Sequence, residues 1–158
     1  MILVSACLIG YDVKYNGSNN FTETINNWLK DKKAIPVCPE VLGGLSIPRD
    51  PAEIVGGDGD DVINGKAKVI TKYGKDVTEA FLKGARETLT IALNAGATTV
   101  ILKERSPSCG GSNIYSGDFN GNKKQGLGVT AALLRRHGIK VFTEENLDHL
   151  INEIEAEK

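Results

Sequence analysis

The sequence predicts an α/β fold in which a mostly parallel β-sheet carries helices on both faces, as in Rossmann-like proteins. Short apolar runs rich in β-branched residues recur along the chain, and Thr98–Leu102 is a typical one. Amphipathic helical patterns lie between these runs, the clearest over Val77–Asn94. Strands that alternate with helices indicate a parallel sheet. A chain of 158 residues fits a single domain, residues 1–158.

The first half of the chain supplies two strands of this sheet. The apolar run Ile2–Ala6 predicts a buried strand. A helix is predicted over Thr22–Lys32, where apolar residues recur three and four positions apart. Ala34–Val37 predicts a second strand, and its Pro36 favours an edge position because proline cannot donate to the ladder. Prolines and glycines then predict an irregular insert at about 39–65.

A small strand and the clearest helix follow. Lys66–Thr71 partly alternates between polar and apolar residues, which predicts a short strand. The helix over Val77–Asn94 has Asp76 as a predicted N-cap, and Glu79 completes a capping-box pattern. Gly96 fits the end of this helix.

The remainder of the chain continues the alternation after the strand at 98–102. A glycine- and asparagine-rich stretch at about 112–126 predicts a hairpin or loop near the site. A helix is predicted over Val129–His137 and a strand over Ile139–Phe142. Thr143 is the predicted cap of a final helix that runs through Ile154.

Composition limits the classes of function. The hydrophobic fraction is 41%, the charged fraction 25% and the formal net charge −1, whereas a general nucleic-acid binder has a basic excess on one face. No apolar run approaches the ~20 residues that span a bilayer, and no signal peptide is evident. We therefore expect a cytoplasmic protein without a membrane or nucleic-acid surface. Its oligomeric state stays open.

The three cysteines lie where parallel strands end. Cys7 follows the first predicted strand, Cys38 follows the second, and Cys109 lies in the loop after the strand that ends at Leu102. Ligands of open α/β sheets bind outside the carboxyl ends of the strands. Because parallel strands all end at the same edge, the three thiols are expected to meet there.

Thiolates are the usual ligands of iron–sulfur clusters, whereas a structural zinc site has four ligands. The two histidines, His137 and His149, are on predicted helices away from the cysteine loops. Three ligands without a fourth indicate an open coordination position for substrate. The spacing alone leaves inert buried thiols open as an alternative.

Several motifs in combination resemble one family, the thiouracil desulfurases, which were first catalogued as a domain of unknown function. The resemblance covers residues 1 to about 145, and its motifs are Ser5–Gly10, Val37–Glu40, Gly43–Leu45, Pro48–Glu53, Gly56–Gly59, Asp76–Thr78, Ser106–Gly110 and Gly128–Ala131. The chain departs from the family pattern at Lys14–Gly17, where Arg-Tyr-Asp-Gly is expected.

The resemblance implies a 4Fe–4S cluster on Cys7, Cys38 and Cys109, with one iron free to take the sulfur of a thiocarbonyl substrate. Water would replace that sulfur and convert a thiolated nucleobase such as 2-thiouracil into uracil and sulfide, with no net redox change. In this interpretation Glu40 contacts substrate and activates water or shuttles a proton, Ser106 assists proton transfer or contacts substrate, and Ser108 contacts substrate. From the residues alone, capping of a helix that begins near Val41 stays open as the role of Glu40. The enzyme would be a hydrolase or lyase.

Two functions of other classes stay open from sequence. An iron–sulfur sensor or sulfur carrier would hold the cluster without turnover. A metal-free thiol enzyme would need a basic neighbour or helix N-terminus that lowers a cysteine pKa.

Three further patterns carry structural predictions. Arg49 and Glu53 are predicted to form an internal ion pair. The acidic stretch 58–64 lacks EF-hand spacing, which favours a solvated hairpin over a calcium site. Gly126 and Gly128, before a predicted helix, are better explained by turn geometry than by a phosphate cradle.

Overall fold

A computed structural model describes residues 1–156 and contains three β-sheets and six α-helices within that range. In chain order the strands are β1 (Ile2–Ser5), β2 (Ala34–Val37), β3 (Ala52–Val55), β4 (Lys68–Thr71), β5 (Thr99–Leu102), β6 (Asn113–Tyr115), β7 (Lys123–Gln125) and β8 (Lys140–Thr143). The helices are α1 (Glu23–Leu29), α2 (Pro39–Leu42), α3 (Gly59–Ile63), α4 (Thr78–Ala95), α5 (Val129–Arg136) and α6 (Leu147–Ala156).

The main sheet has four parallel strands in the order β2-β1-β5-β8. The chain moves from β1 to β2 on one side and later to β5 on the other side. The connection that leaves β1 runs to β2 on one side, and the connection that leaves β5 runs to β8 on the other side. The carboxyl ends of the neighbouring strands β1 and β5 therefore form a topological switch point of the kind where α/β proteins bind ligands. Pro36 is tolerated in β2 because that strand lies at the edge of the sheet.

Helices cover both faces of this sheet, which confirms the predicted fold class. Leu3 and Val100 pack on one face with Ala92 of α4 and Leu134 of α5. The alternate residues pack on the other face with α1 and α6, in a cluster that contains Val4, Ile101, Ile25 and Leu150. Successive strand residues point to opposite faces. The central residues of β1 and β5, Leu3–Val4 and Val100–Ile101, are therefore apolar on both faces of the sheet.

A third core lies beside the main sheet. Strands β3 and β4 pair antiparallel, β6 and β7 form a hairpin, and Ile54, Val69 and Ile114 from these strands pack with Phe81 of α4. The segment predicted to be irregular, 39–65, thus carries α2, β3 and α3. The prediction failed there because each of these elements has only four or five residues and β3 depends on pairing with the distant β4.

Two helix starts differ from prediction. The N-cap of α4 is Val77, and Asp76 Oδ1 instead accepts from the Thr78 N–H at 2.9 Å. Thr143 is the last residue of β8, and α6 begins four residues later at Leu147. Gly96 ends α4 with a φ of +68°, as predicted.

The acidic stretch after β3 is not a hairpin. It forms α3, and Asp58 and Asp61 make a reciprocal capping box at its start. Within residues 1–156 no helix has the length and apolar character needed to cross a membrane.

Candidate functional site

All three cysteines line one pocket of about 630 Å³ at the carboxyl end of the main sheet. Cys7 lies in a 3₁₀ turn, Ala6–Ile9, directly after β1. Cys38 separates β2 from α2, and Cys109 lies seven residues after the end of β5. The three thiols therefore lie at the edge where the parallel strands end, which is where the sequence predicts them.

The three thiols share an environment that favours their neutral form. Burial raises the pKa of Cys7, and a hydrogen bond from the Asn20 side chain offsets this only in part. Burial also raises the pKa of Cys38 and, most strongly, that of Cys109. Each thiol is close enough to carboxylate or thiol neighbours for their charges to raise its pKa further.

The loop that carries Cys109 is held by the Ser106 side chain. Ser106 Oγ accepts from the backbone N–H groups of Ser108 and Cys109, both at 3.1 Å. The loop also docks on the start of α5, where the N–H of Val129 donates to Pro107 O at 2.8 Å. A Cβ at Gly128 would lie 2.5 Å from the Ser108 carbonyl, so only glycine fits this contact. The start of α5 thus supports the cysteine loop. Close backbone contact, and not the predicted turn geometry, explains Gly128, whose φ of −68° any residue could adopt.

Glu104 is a buried carboxylate that sequence reasoning missed. Only 3% of it is exposed. Its Oε1 accepts from the N–H groups of Gly111, Ser112 and Asn113 at 2.9–3.0 Å. Burial acts to raise the pKa of Glu104, but these hydrogen bonds outweigh it and lower that pKa below its ordinary value. The Glu104 carboxylate therefore links the start of the cysteine loop to its end, at residues 111–113.

Glu40 forms a hydrogen-bonded group with Arg49 and Ser106 at the wall of the pocket. Arg49 Nε and Nη2 contact Glu40 Oε2 at 2.9 and 2.7 Å, and the Ser106 hydroxyl donates to Glu40 Oε1 at 3.3 Å. The predicted pairing of Arg49 with Glu53 is therefore wrong. Glu53 instead accepts from the N–H groups of Gly117 and Phe119 in the loop between β6 and β7.

Helix packing places Glu40. It lies in the first turn of α2, which crosses α4 at two glycines. A Cβ at Gly43 would lie 2.0 Å from Ala80 O, and one at Gly84 would lie 1.9 Å from Pro39 O. The two backbones are therefore in direct contact, and α2 is fixed against a long helix.

Ser108, which the sequence predicts to contact substrate, has a buried hydroxyl. Ser108 is 1% exposed, and its hydroxyl shares a hydrogen bond of 2.7 Å with Thr130 Oγ1. Unlike Ser106 and Cys109, it does not line the pocket. Ser108 is thus placed to hold its loop against α5 rather than to touch a ligand. Neither His137 nor His149 lines the pocket.

Three cysteine thiols are a donor set of the kind that iron–sulfur clusters use. Within residues 1–156 no group of three or more His, Cys, Asp or Glu residues could hold one metal ion. An iron–sulfur cluster takes each thiolate on a different iron, so its ligands stand farther apart, around a shared space. Three thiols around one pocket meet that requirement.

The fold and the site together define an α/β protein with a thiol-lined pocket at the switch point of a parallel sheet. The family model for 2-thiouracil desulfurase matches residues 2–146. The chain therefore belongs to the 2-thiouracil desulfurase family.

The chain is similar over nearly its whole length to two known proteins. The uncharacterized protein YbbK of Bacillus subtilis (strain 168) is 52% identical over 151 residues, which cover 96% of this chain and 100% of YbbK. A solved structure, described as the 4Fe–4S-dependent thiouracil desulfidase TudS, is 41% identical. It superposes with a TM-score of 0.85, covering 98% of this chain and 97% of that one.

Proposed function

We propose that this protein is a desulfurase that holds a 4Fe–4S cluster on Cys7, Cys38 and Cys109 and acts on a thiolated pyrimidine nucleobase such as 2-thiouracil. The products are uracil and sulfide. One observation carries the proposal: the three thiols line a single pocket together with the Glu40 and Ser106 pair, in a chain of the 2-thiouracil desulfurase family.

When bound, the cluster supplies a soft Lewis acid that polarises a thiocarbonyl through its sulfur. Glu40 accepts a proton from the water that attacks the carbon, and a C–O bond replaces the C–S bond. The Ser106 hydroxyl, 3.3 Å from Glu40 Oε1, orients that carboxylate and relays the proton toward the leaving sulfur. The overall exchange of sulfur for oxygen needs water alone, so no external oxidant or reductant takes part.

The same proposal covers reaction class and location. Because water supplies the incoming oxygen, we assign the reaction to the hydrolase type rather than the lyase type. Three cysteines without a disulfide suit the reducing cytoplasm, where iron–sulfur ligands stay reduced.

The test is anaerobic reconstitution with iron and sulfide, followed by incubation with 2-thiouracil. Uracil and sulfide should form in equal amounts over many turnovers, and protein without iron should produce neither. A single equivalent of sulfide per protein would instead favour a sulfur carrier. No product from protein with full cluster content would refute the proposed substrate.

A further inference from the structure

We propose that Arg49 is a positioning residue that couples the wall of the pocket to the catalytic carboxylate. The proposal rests on the proposed role of Glu40. Arg49 binds one carboxylate oxygen of Glu40 and leaves the other oxygen to act on water. It also anchors residues 11 to 18, called the 11–18 loop, over the same pocket.

The first contact fixes the carboxylate. Arg49 Nε and Nη2 both bind Glu40 Oε2, whereas Oε1 faces the Ser106 hydroxyl. The side chains of Arg49 and Glu40 are only 9% and 17% exposed, so the contact is shielded from solvent. The Nε–H group donates a charge-assisted hydrogen bond to Oε2, which is stronger than a neutral hydrogen bond, and the short ion pair from Nη2 to the same oxygen adds to it. Arg49 therefore selects Oε1 as the oxygen that takes the proton.

The second contact fixes the 11–18 loop. Arg49 Nη2 donates to Val13 O at 3.0 Å, and the Arg49 backbone N–H donates to Tyr15 O at 2.7 Å. Val13, Lys14 and Tyr15 line the pocket. The Cys38 sulfur lies 4.0 Å from Val13 O. One side chain thus joins this loop to Glu40 beside a cysteine of the site.

This geometry has a consequence for the chain's departure from the family pattern at Lys14–Gly17. The loop is held at Val13 and Tyr15 through backbone carbonyl groups, which any residue supplies. Side chains at the tip can therefore differ while the attachment to Glu40 persists. What must be kept is an arginine at position 49, because a lysine ammonium lacks the planar fork that reaches both partners.

The first experiment needs no activity. Hydrogen exchange of the 11–18 segment is measured in Arg49→Met and Arg49→Lys. We expect exchange in this segment to be faster by about tenfold, the factor expected for loss of one charge-assisted hydrogen bond. Arg136→Met is the matched control, because it removes an arginine that pairs with Asp60 at the surface. Wild-type exchange of this segment in both Arg49 variants would overturn the proposal.

The second experiment separates positioning from general stability. Arg49→Met should lower turnover by about 10²-fold, the loss that a displacement of about 1 Å produces, with iron content unchanged. Arg49→Lys should restore turnover only in part. In a Glu40→Gln background the Arg49→Met change should lower turnover much less, because the two residues act as one unit. The proposal would be overturned if Arg49→Met lowered turnover as much in the Glu40→Gln background as in the wild type. Turnover of Arg49→Lys equal to that of the wild type would also overturn it.

The two experiments distinguish this inference from the proposed function. If wild-type protein loaded with the cluster releases no sulfide, the proposed function fails. Hydrogen exchange then still tests whether Arg49 joins Glu40 to the loop. If it does, Glu40→Gln should also make exchange in residues 11–18 faster. Unchanged exchange in Glu40→Gln would show that the loop does not depend on the carboxylate.

Discussion

The protonation of the three thiols bears directly on which chemistry the site supports. A catalytic cysteine nucleophile has a lowered pKa, whereas burial raises the pKa of Cys7, Cys38 and Cys109. This weighs against the metal-free thiol enzyme that the sequence left open. The same burial is compatible with metal ligands, because a bound metal deprotonates the thiol and binding releases the proton.

Substitution of serine for any one of the three cysteines should remove most of the bound iron and the broad visible absorption of the reconstituted protein. Serine keeps the size of the side chain but lacks the soft sulfur donor. Iron and sulfide content, read beside the circular dichroism of each variant, checks this. A variant that folds and keeps full iron content would exclude that cysteine as a ligand.

Glu40→Gln should leave iron content unchanged and lower turnover by about 10²-fold or more, the usual range for general acid–base catalysis. The amide keeps the size of the side chain but cannot take up a proton. Asp60→Asn serves as the control, because it breaks an arginine–carboxylate pair on the surface, with Arg136. Turnover of Glu40→Gln equal to that of the control would leave Glu40 with a structural role only.

Glu104→Gln should lower the free energy of unfolding at neutral pH by about 1–3 kcal/mol, because an amide nitrogen would then meet buried N–H donors. The folded-state pKa of Glu104 lies below its ordinary value of 4.5. The stabilisation is therefore complete above pH 4.5 and is lost as the pH falls through the folded-state pKa. Chemical denaturation of both proteins from neutral to acidic pH measures the free energy of unfolding of each. The difference between these two free energies should shrink below pH 4.5.

The control for this pH dependence is Glu145→Gln. Glu145 pairs with Arg105, which follows Glu104, but its side chain is about half exposed, and exposed pairs contribute at most about 1 kcal/mol. If the free energies of unfolding of wild type and Glu104→Gln differ by the same amount above and below pH 4.5, the assignment of a lowered pKa to Glu104 is contradicted.

At the residue scale, sequence reasoning found the cysteines because each follows a strand end. It also singled out Glu40 and Ser106, which the structure brings within hydrogen-bonding distance of each other. It missed the true partner of Arg49, because nothing in the local sequence distinguishes Glu40 from Glu53. Glu104 was missed for a related reason: its backbone donors exist only once the loop closes around it.

At the element scale, the junction of α2 with α4 determines where Glu40 and Cys38 lie. Replacing glycine by alanine inside a helix normally stabilises it by about 1 kcal/mol. Gly84→Ala should do the opposite and destabilise the protein by about 1–3 kcal/mol, the range for overpacking. A Cβ there would lie 1.9 Å from Pro39 O.

Thermal unfolding checks this prediction, with Thr90→Ala as the control at an exposed position of the same helix. Gly84→Ala should also lower turnover, because α2 must move away from α4 and carries Glu40 with it. An alanine variant as stable and as active as wild type would show that the two helices tolerate separation.

Prediction succeeded for elements whose pattern is local. The main strands and α4 and α5 were found to within a few residues, because burial on both faces or helical periodicity marks them. Short elements that depend on distant partners were missed. Strand β3 pairs with β4 some fifteen residues later, and α2 has too few residues for a periodic pattern.

At the scale of the whole molecule, one topological feature explains the site. The sheet order β2-β1-β5-β8 brings three strand ends, and the cysteine that follows each of them, to one edge. The smaller sheets add Glu53 of β3, Thr71 of β4 and Tyr115 of β6 to the pocket wall, beside Phe81 of α4. The main sheet thus presents the thiols, and the smaller sheets enclose the space around them.

The most direct test of the account is the fate of the oxygen atom. Protein loaded with the cluster is incubated anaerobically with 2-thiouracil in H₂¹⁸O, and uracil is analysed by mass spectrometry beside a sulfide assay. We predict one ¹⁸O atom per uracil, equimolar sulfide, and no consumption of an added reductant or oxidant. Uracil without label, or label incorporation that requires a redox partner, would contradict a hydrolytic exchange of sulfur for oxygen at this pocket.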